Sequence, residues 1–150
     1  MITSEQVKEL RDKTGVSVME CKKALIAAEG DMAKALEILS SRAAASVDKK
    51  ADRTLGAGIV AAYIHSAGAV GALVQLMCET DFVSKNEEFG ALARDIAMHI
   101  TAMRPADKDE LMAQVFIKDP SKTIMDLVSG ATQKFGERTE LSNFSCFSVK

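Results

Sequence analysis

The sequence predicts an α+β protein: an N-terminal three-helix bundle, a linker, and a small antiparallel three-stranded sheet packed against helices. Three observations carry that expectation. Residues 1–42 show apolar residues at helical spacing, broken at Thr14-Gly15 and again at Glu29-Gly30-Asp31. At Gly56 the period changes to runs of β-branched and aliphatic residues across a small-residue turn. Residues 85–103 then return to helical spacing, long enough to cover a sheet.

Each element has its own local signals. Thr3 or Ser4 offers an N-cap to a first helix with Val7 and Leu10 inward, and Thr14-Gly15 ends it. Residues 17–28 form a second helix with Val18, Cys21, Ala24, Leu25 and Ala28 on one stripe. Gly30 suits a left-handed helix end, and Asp31 caps a third helix whose inward set is Met32, Ala35, Leu36 and Leu39. A bundle this small buries few large side chains, so it is expected to lean on the rest of the chain. Residues 43–54, AAASVDKKADRT, lose large apolar periodicity and read as a partly helical linker, with Lys49, Lys50 and Arg53 on a solvated face. The division expected is 1–42 helical domain, 43–54 linker and 55–150 core domain.

Residues 56–65 and 70–78 form a hairpin across Ser66-Ala67-Gly68-Ala69. Phe89, Leu92, Ile96, Ile100 and Met103 line the long helix that Pro105 stops. Residues 106–119 read either as a turn of helix or as an extended packing arm. Asp119-Pro120-Ser121 opens a further helix with Ile124, Leu127, Val128 and Ala131 inward and Gly136 at its end. Residues 138–149 form a third strand, with a phase slip near Phe144 that implies either a bulge or a broken strand.

The 150 residues are 47% hydrophobic and 27% charged, with six Phe, one Tyr and no Trp, so aliphatic side chains must fill the interior. A net charge of −2 lacks the concentrated basic face that nucleic acid requires. With no apolar run of about 18 residues and no basic-then-apolar leader at the N-terminus, a cytoplasmic protein is expected. Cys21, Cys78 and Cys146 suit neither a disulfide framework nor a tetrahedral zinc site; they read as free thiols, with an intermolecular disulfide through Cys146 as the sharper alternative. His65 and His99 are the only histidines and do not combine into a site, His99 reading as partly buried and structural. No phosphate-binding glycine loop is present, and Glu87-Glu88 suits the dipole at the start of a helix. Neither a metal nor a cofactor is expected, and a binding protein fits better than an enzyme.

Glu79-Thr80-Asp81-Phe82-Val83 then becomes the place to look, because it sets an acid and a large aromatic where an apolar strand has just ended. Two readings fit. In one, Val83, a capping Ser84 and Glu87 form a hydrophobic staple and capping box; in the other, Phe82 is offered outward. The exposure of Phe82 decides between them.

Two stretches carry a resemblance. Leu10-Arg11-Asp12-Lys13-Thr14-Gly15 continuing through Met19-Glu20-Cys21-Lys22-Lys23-Ala24-Leu25, and Thr80-Asp81-Phe82-Val83-Ser84-Lys85-Asn86, closely resemble the two signatures of translation elongation factor Ts, in the same order. The likeness covers essentially the whole chain. It implies a guanine-nucleotide exchange factor that binds elongation factor Tu, both GDP-bound and nucleotide-free, and releases GDP without chemistry of its own. The first three helices would be a ubiquitin-associated-like domain and the remainder a dimerisation-type core. The resemblance implies a partner-binding wedge at Thr80, Asp81, Phe82 and Val83, entering the GTPase near its magnesium and phosphate site, and contacts from Arg11, Val18 and Met19. Short members with a single core module pair, so a homodimer is implied, with Tyr63 and His65 of the second chain as possible contacts to the GTPase. Against the family pattern, the chain lacks room for the usual helical hairpin between Met103 and Phe116. The competing reading is an adaptor that binds protein through its small bundle without driving exchange.

Overall fold

A computed structural model describes residues 1–65 and 67–150. Three helices open the chain: α1 (Ser4–Thr14), α2 (Val18–Ala27) and α3 (Met32–Lys50). Thr3 caps α1 in a capping box with Gln6, and Gly15, at φ 70°, closes it in the left-handed conformation. Ser17 and Asp31 cap α2 and α3 through their side chains. Leu10, Val16, Cys21, Ala24, Leu25, Ala28, Ala35 and Leu39 form the core of the bundle. Two inward assignments in the bundle need correction, as does Met103 of the long helix, which is 47% exposed. Val18 is 51% exposed, and Leu36 lies at the surface while Ile38 packs partly against the core. The α3 stripe follows Ala35, Leu39 and Ala43, so Leu36 falls just beyond its edge.

Helix α3 continues well past residue 42. Its second half, with Ala43 buried, runs through segment 43–50, and the helix packs on α7 (Ile124–Phe135). Alanine has the highest helix propensity, so the segment that starts Ala43-Ala44-Ala45 stays helical without large apolar periodicity. The bundle also touches the rest of the chain where the Lys122 ammonium donates to the Lys13 carbonyl at 3.4 Å.

Strands β1 (Ala57–His65), β2 (Val70–Cys78) and β5 (Glu140–Ser148) make an antiparallel sheet in the order β1-β2-β5, with β2 central. The intervening turn includes Ser66, which lies outside the described residues. Register sets Ala57 opposite Cys78 and His65 opposite Val70. One face carries the rows Ile59-Leu76-Leu141, Ala61-Val74-Phe144 and Tyr63-Ala72-Cys146, and α5 (Glu87–Met103) covers it with Phe89, Ala93, Ile96, Ala97 and Ile100. Leu76 pairs with Leu141 and Gln75 with Asn143, which leaves Ser142 as the extra residue of a bulge. The slip therefore sits slightly before Phe144, and it returns Leu141 to the covered face.

The connection after α5 contains α6 (Lys108–Ala113) and a two-stranded pair, β3 (Val115–Phe116) with β4 (Asp119–Thr123). Segment 106–119 thus combines both expectations, a turn and a half of helix followed by extended chain. Helix α7 begins at Ile124, later than Asp119-Pro120-Ser121 suggested, because Thr123 forms the capping box with Asp126. His99 is fully buried: its Nδ1 accepts the Ile117 N–H at 3.3 Å, and its Nε2 donates to Gln114 Oε1 at 2.9 Å. Among the described residues, no helix is long and apolar enough to cross a membrane.

Candidate functional site

The segment after β2 folds into a single helical turn, α4 (Asp81–Ser84), closed by the Ser84 N–H on the Thr80 carbonyl at 3.2 Å and the Lys85 N–H on the Asp81 carbonyl at 3.0 Å. The turn sorts its residues by chemistry. Val83 joins the main core and Ser84 is buried, its hydroxyl donating to the Asp81 carbonyl at 3.2 Å. Phe82 is 89% exposed. An aromatic side chain left in water on an ordered turn gives up the burial that normally stabilises it, and such a residue is a candidate for a contact surface.

The staple and capping box expected at Val83, Ser84 and Glu87 do not form. Ser84 is spent inside α4, and Asn86 caps α5, its Oδ1 accepting the Glu88 N–H at 2.8 Å. Glu87 and Glu88 occupy the first turn of α5, and Glu88 pairs with Lys134 of α7. An open groove of about 880 Å³ runs beside the turn, lined among others by Ile59, Asp81, Lys85, Asn86, Glu88 and Arg94.

Under the turn lies an arrangement that reading the sequence missed. Glu137 Oε1 accepts the N–H groups of Glu79 and Thr80 at 3.1 and 3.0 Å, and its Oε2 accepts the Thr80 hydroxyl at 2.7 Å. In return Glu79 Oε2 accepts the Arg138 N–H at 2.5 Å and the Arg53 guanidinium at 3.4 Å. Arg53, read as part of a solvated run, also donates to the Gly136 carbonyl at 3.4 Å, and its own carbonyl accepts from Arg138 at 2.7 Å. No local pattern could have found these residues, because Arg53 lies 26 positions from Glu79, Glu137 and Arg138 lie more than 50 positions from Glu79 and Thr80, and only the folded chain brings them together.

The other residues singled out lie on separate elements. Arg11 is exposed in the last turn of α1, and Val18 and Met19, 51% and 67% exposed, open α2. Tyr63 and His65 lie at the end of β1, the phenol oxygen 3.3 Å from His65 Nδ1; Tyr63 packs partly against the core, whereas His65 is exposed. All three cysteines are free. Burial pushes the Cys21 and Cys78 thiols above their usual range, with nearby Glu137 adding to the effect at Cys78. Cys146 is half-buried under α5, its sulfur 3.9 Å from the Ile100 carbonyl. Among the described residues no cluster of three or more His, Cys, Asp or Glu is arranged to hold a metal ion. The site thus presents an aromatic and an acid on a braced turn.

Comparison with known proteins agrees with the two signatures. The family model described as Elongation factor TS matches residues 3–110 and 79–150. The elongation factor Ts of Acetivibrio thermocellus is 45% identical over 150 aligned residues, covering 90% of this chain and 70% of that protein. That of Carboxydothermus hydrogenoformans is 38% identical over 194 aligned positions, covering 99% and 89%, and that of Leptospira biflexa 38% identical, covering 99% and 98%. An alignment of 194 positions exceeds the 150 residues here, so that relative carries residues with no counterpart in this chain. The chain belongs to the elongation factor Ts family.

Proposed function

We propose that this protein is a guanine-nucleotide exchange factor that binds elongation factor Tu and promotes GDP release, with Asp81 and Phe82 acting as a wedge near the magnesium and phosphate site. The observation that carries the reading is the 89% exposure of Phe82 on a turn whose next two residues are buried. Thr80 and Val83 hold the wedge from either side; Asp81 and Phe82 make the contact. A wedge that favours a distorted phosphate site weakens GDP, and by linkage GDP weakens the wedge by the same factor. Full burial of Phe82 supplies about 1.5–3 kcal/mol, so other contacts must contribute to the coupling. Arg11, Val18 and Met19, all exposed, are the proposed second contact, from a helical domain of residues 1–42 that is joined by 43–54 to a core of 55–150. The partner is met in its GDP-bound and nucleotide-free states, in the cytoplasm.

The chain pairs as a homodimer in this proposal. The sheet face opposite α5 carries Val60, Ile64, Leu73 and Phe147, exposed by 65%, 63%, 47% and 74%. A second copy is the occupant proposed, because the same apolar rows meet themselves across a two-fold axis. It would bring Tyr63 and His65 of that copy toward the GTPase. Light scattering is expected to give twice the chain mass, and Phe147→Asp to give the monomer; a wild-type monomer would remove the pairing.

Catalytic amounts of the protein are expected to accelerate release of labelled GDP from elongation factor Tu. Capture of the GTPase with an unchanged GDP off-rate would favour the adaptor reading.

A further inference from the structure

We infer that Glu137 is a positioning residue that holds the α4 turn, and with it Phe82, in the conformation that docks. This rests on the exchange reading above. A single helical turn has no stability of its own, since nucleation costs more than its few hydrogen bonds return. On its inner side α4 is held by the burial of Val83 and Ser84. Its entry is held differently. Thr80 occupies the N-cap position with no capping bond from its own side chain, and instead donates its hydroxyl to Glu137 Oε2, while Oε1 takes the Glu79 and Thr80 N–H groups.

The brace is possible because Gly136 ends α7 at φ 71°, which turns the chain so that the next side chain reaches across to the end of β2. The reverse bond, Arg138 N–H to Glu79, makes the exchange of carboxylates mutual. Hydrogen bonds to an ionised acceptor are stronger than neutral ones. An ordered turn presents Phe82 with less conformational freedom left to lose on docking, so removal of the brace should weaken exchange without touching the partner surface itself.

The test uses the full chain and compares Glu137→Ala, Glu137→Gln and Phe82→Ala by two readouts, amide hydrogen exchange in the free protein and release of labelled GDP from elongation factor Tu. Glu137→Ala is expected to lower protection of the Ser84 and Lys85 amides about tenfold while the Arg104 amide of α5 keeps its protection, and to slow GDP release about tenfold. Glu137→Gln keeps an acceptor oxygen and is expected to retain most of both. Unchanged protection of Ser84 and Lys85 in Glu137→Ala would overturn the brace, as would lost protection with normal GDP release. Equal loss in Glu137→Gln and Glu137→Ala with α4 protection intact would mean that the carboxylate meets the partner directly, which also overturns it. Unaltered GDP release in Phe82→Ala defeats the wedge reading itself, whatever the amides report.

Discussion

Phe82 and Phe89 provide a matched pair of perturbations, seven residues apart in sequence and opposite in environment. Phe82 is 89% exposed and Phe89 fully buried, edge-on to Phe135 with ring centroids 5.8 Å apart at 77°. Truncating either to alanine removes the same atoms. For Phe89→Ala the loss of burial and the cavity left behind cost about 3–5 kcal/mol, a large share of the roughly 5–15 kcal/mol that stabilises a domain. At about 2–4 °C per kcal/mol the melting temperature should fall by roughly 6–20 °C. Phe82→Ala removes no intramolecular burial and should change stability by less than about 0.5 kcal/mol. Its cost should appear on docking, at about 1.5–3 kcal/mol or roughly 10- to 150-fold in affinity. The assays are thermal unfolding followed by circular dichroism and release of labelled GDP from elongation factor Tu. A Phe82→Ala protein that melts as early as Phe89→Ala would refute the assignment of Phe82 to the surface, and one that exchanges GDP like the parent would refute the wedge.

Two further outcomes follow from the buried titratable groups. Burial lowers the His99 pKa below its usual 6.5, and the bond from the Ile117 N–H needs Nδ1 unprotonated. The neutral ring's contribution is therefore complete above pH 6.5 and is lost as pH falls from there through the lowered folded value; urea midpoints should drop between pH 7.5 and 5.5, and His99→Leu should lose that part of the slope. Cys21 and Cys78 are buried with raised pKa values, so a thiol reagent at pH 8 should modify Cys146 first and the other two only on unfolding. Rapid native modification of Cys78 would contradict the packing at the end of β2.

Signals confined to a few residues were legible from the sequence. Thr3, Gly15, Asp31 and Gly136 start or stop helices by chemistry that needs no distant partner, and each does so in the fold. Alternation and turn residues announced the hairpin and the last strand, and helical spacing announced the cover helix. The Thr80–Asn86 stretch marked the site through its resemblance to a family signature, but it left open which way Phe82 faces.

That question belongs to tertiary structure. Ser84 had capping chemistry at a capping-box spacing, yet the core buries it within α4 and Asn86 takes the cap. The slip in β5 was visible as a broken period, whereas its position at Ser142 depends on the register with β2. Arg53 is exposed, as its polar run suggested, but its bonds to Glu79 and Gly136 appear only in the fold. By itself the sequence determined most of the helices, the hairpin, the last strand and the family, because caps, periods and motifs act over a turn or a strand, while the far end of α3 and the start of α7 waited on the fold. The tertiary structure alone decided that Phe82 projects and that Glu137 braces it, because exposure and long-range hydrogen bonds exist only once strands distant in sequence have paired.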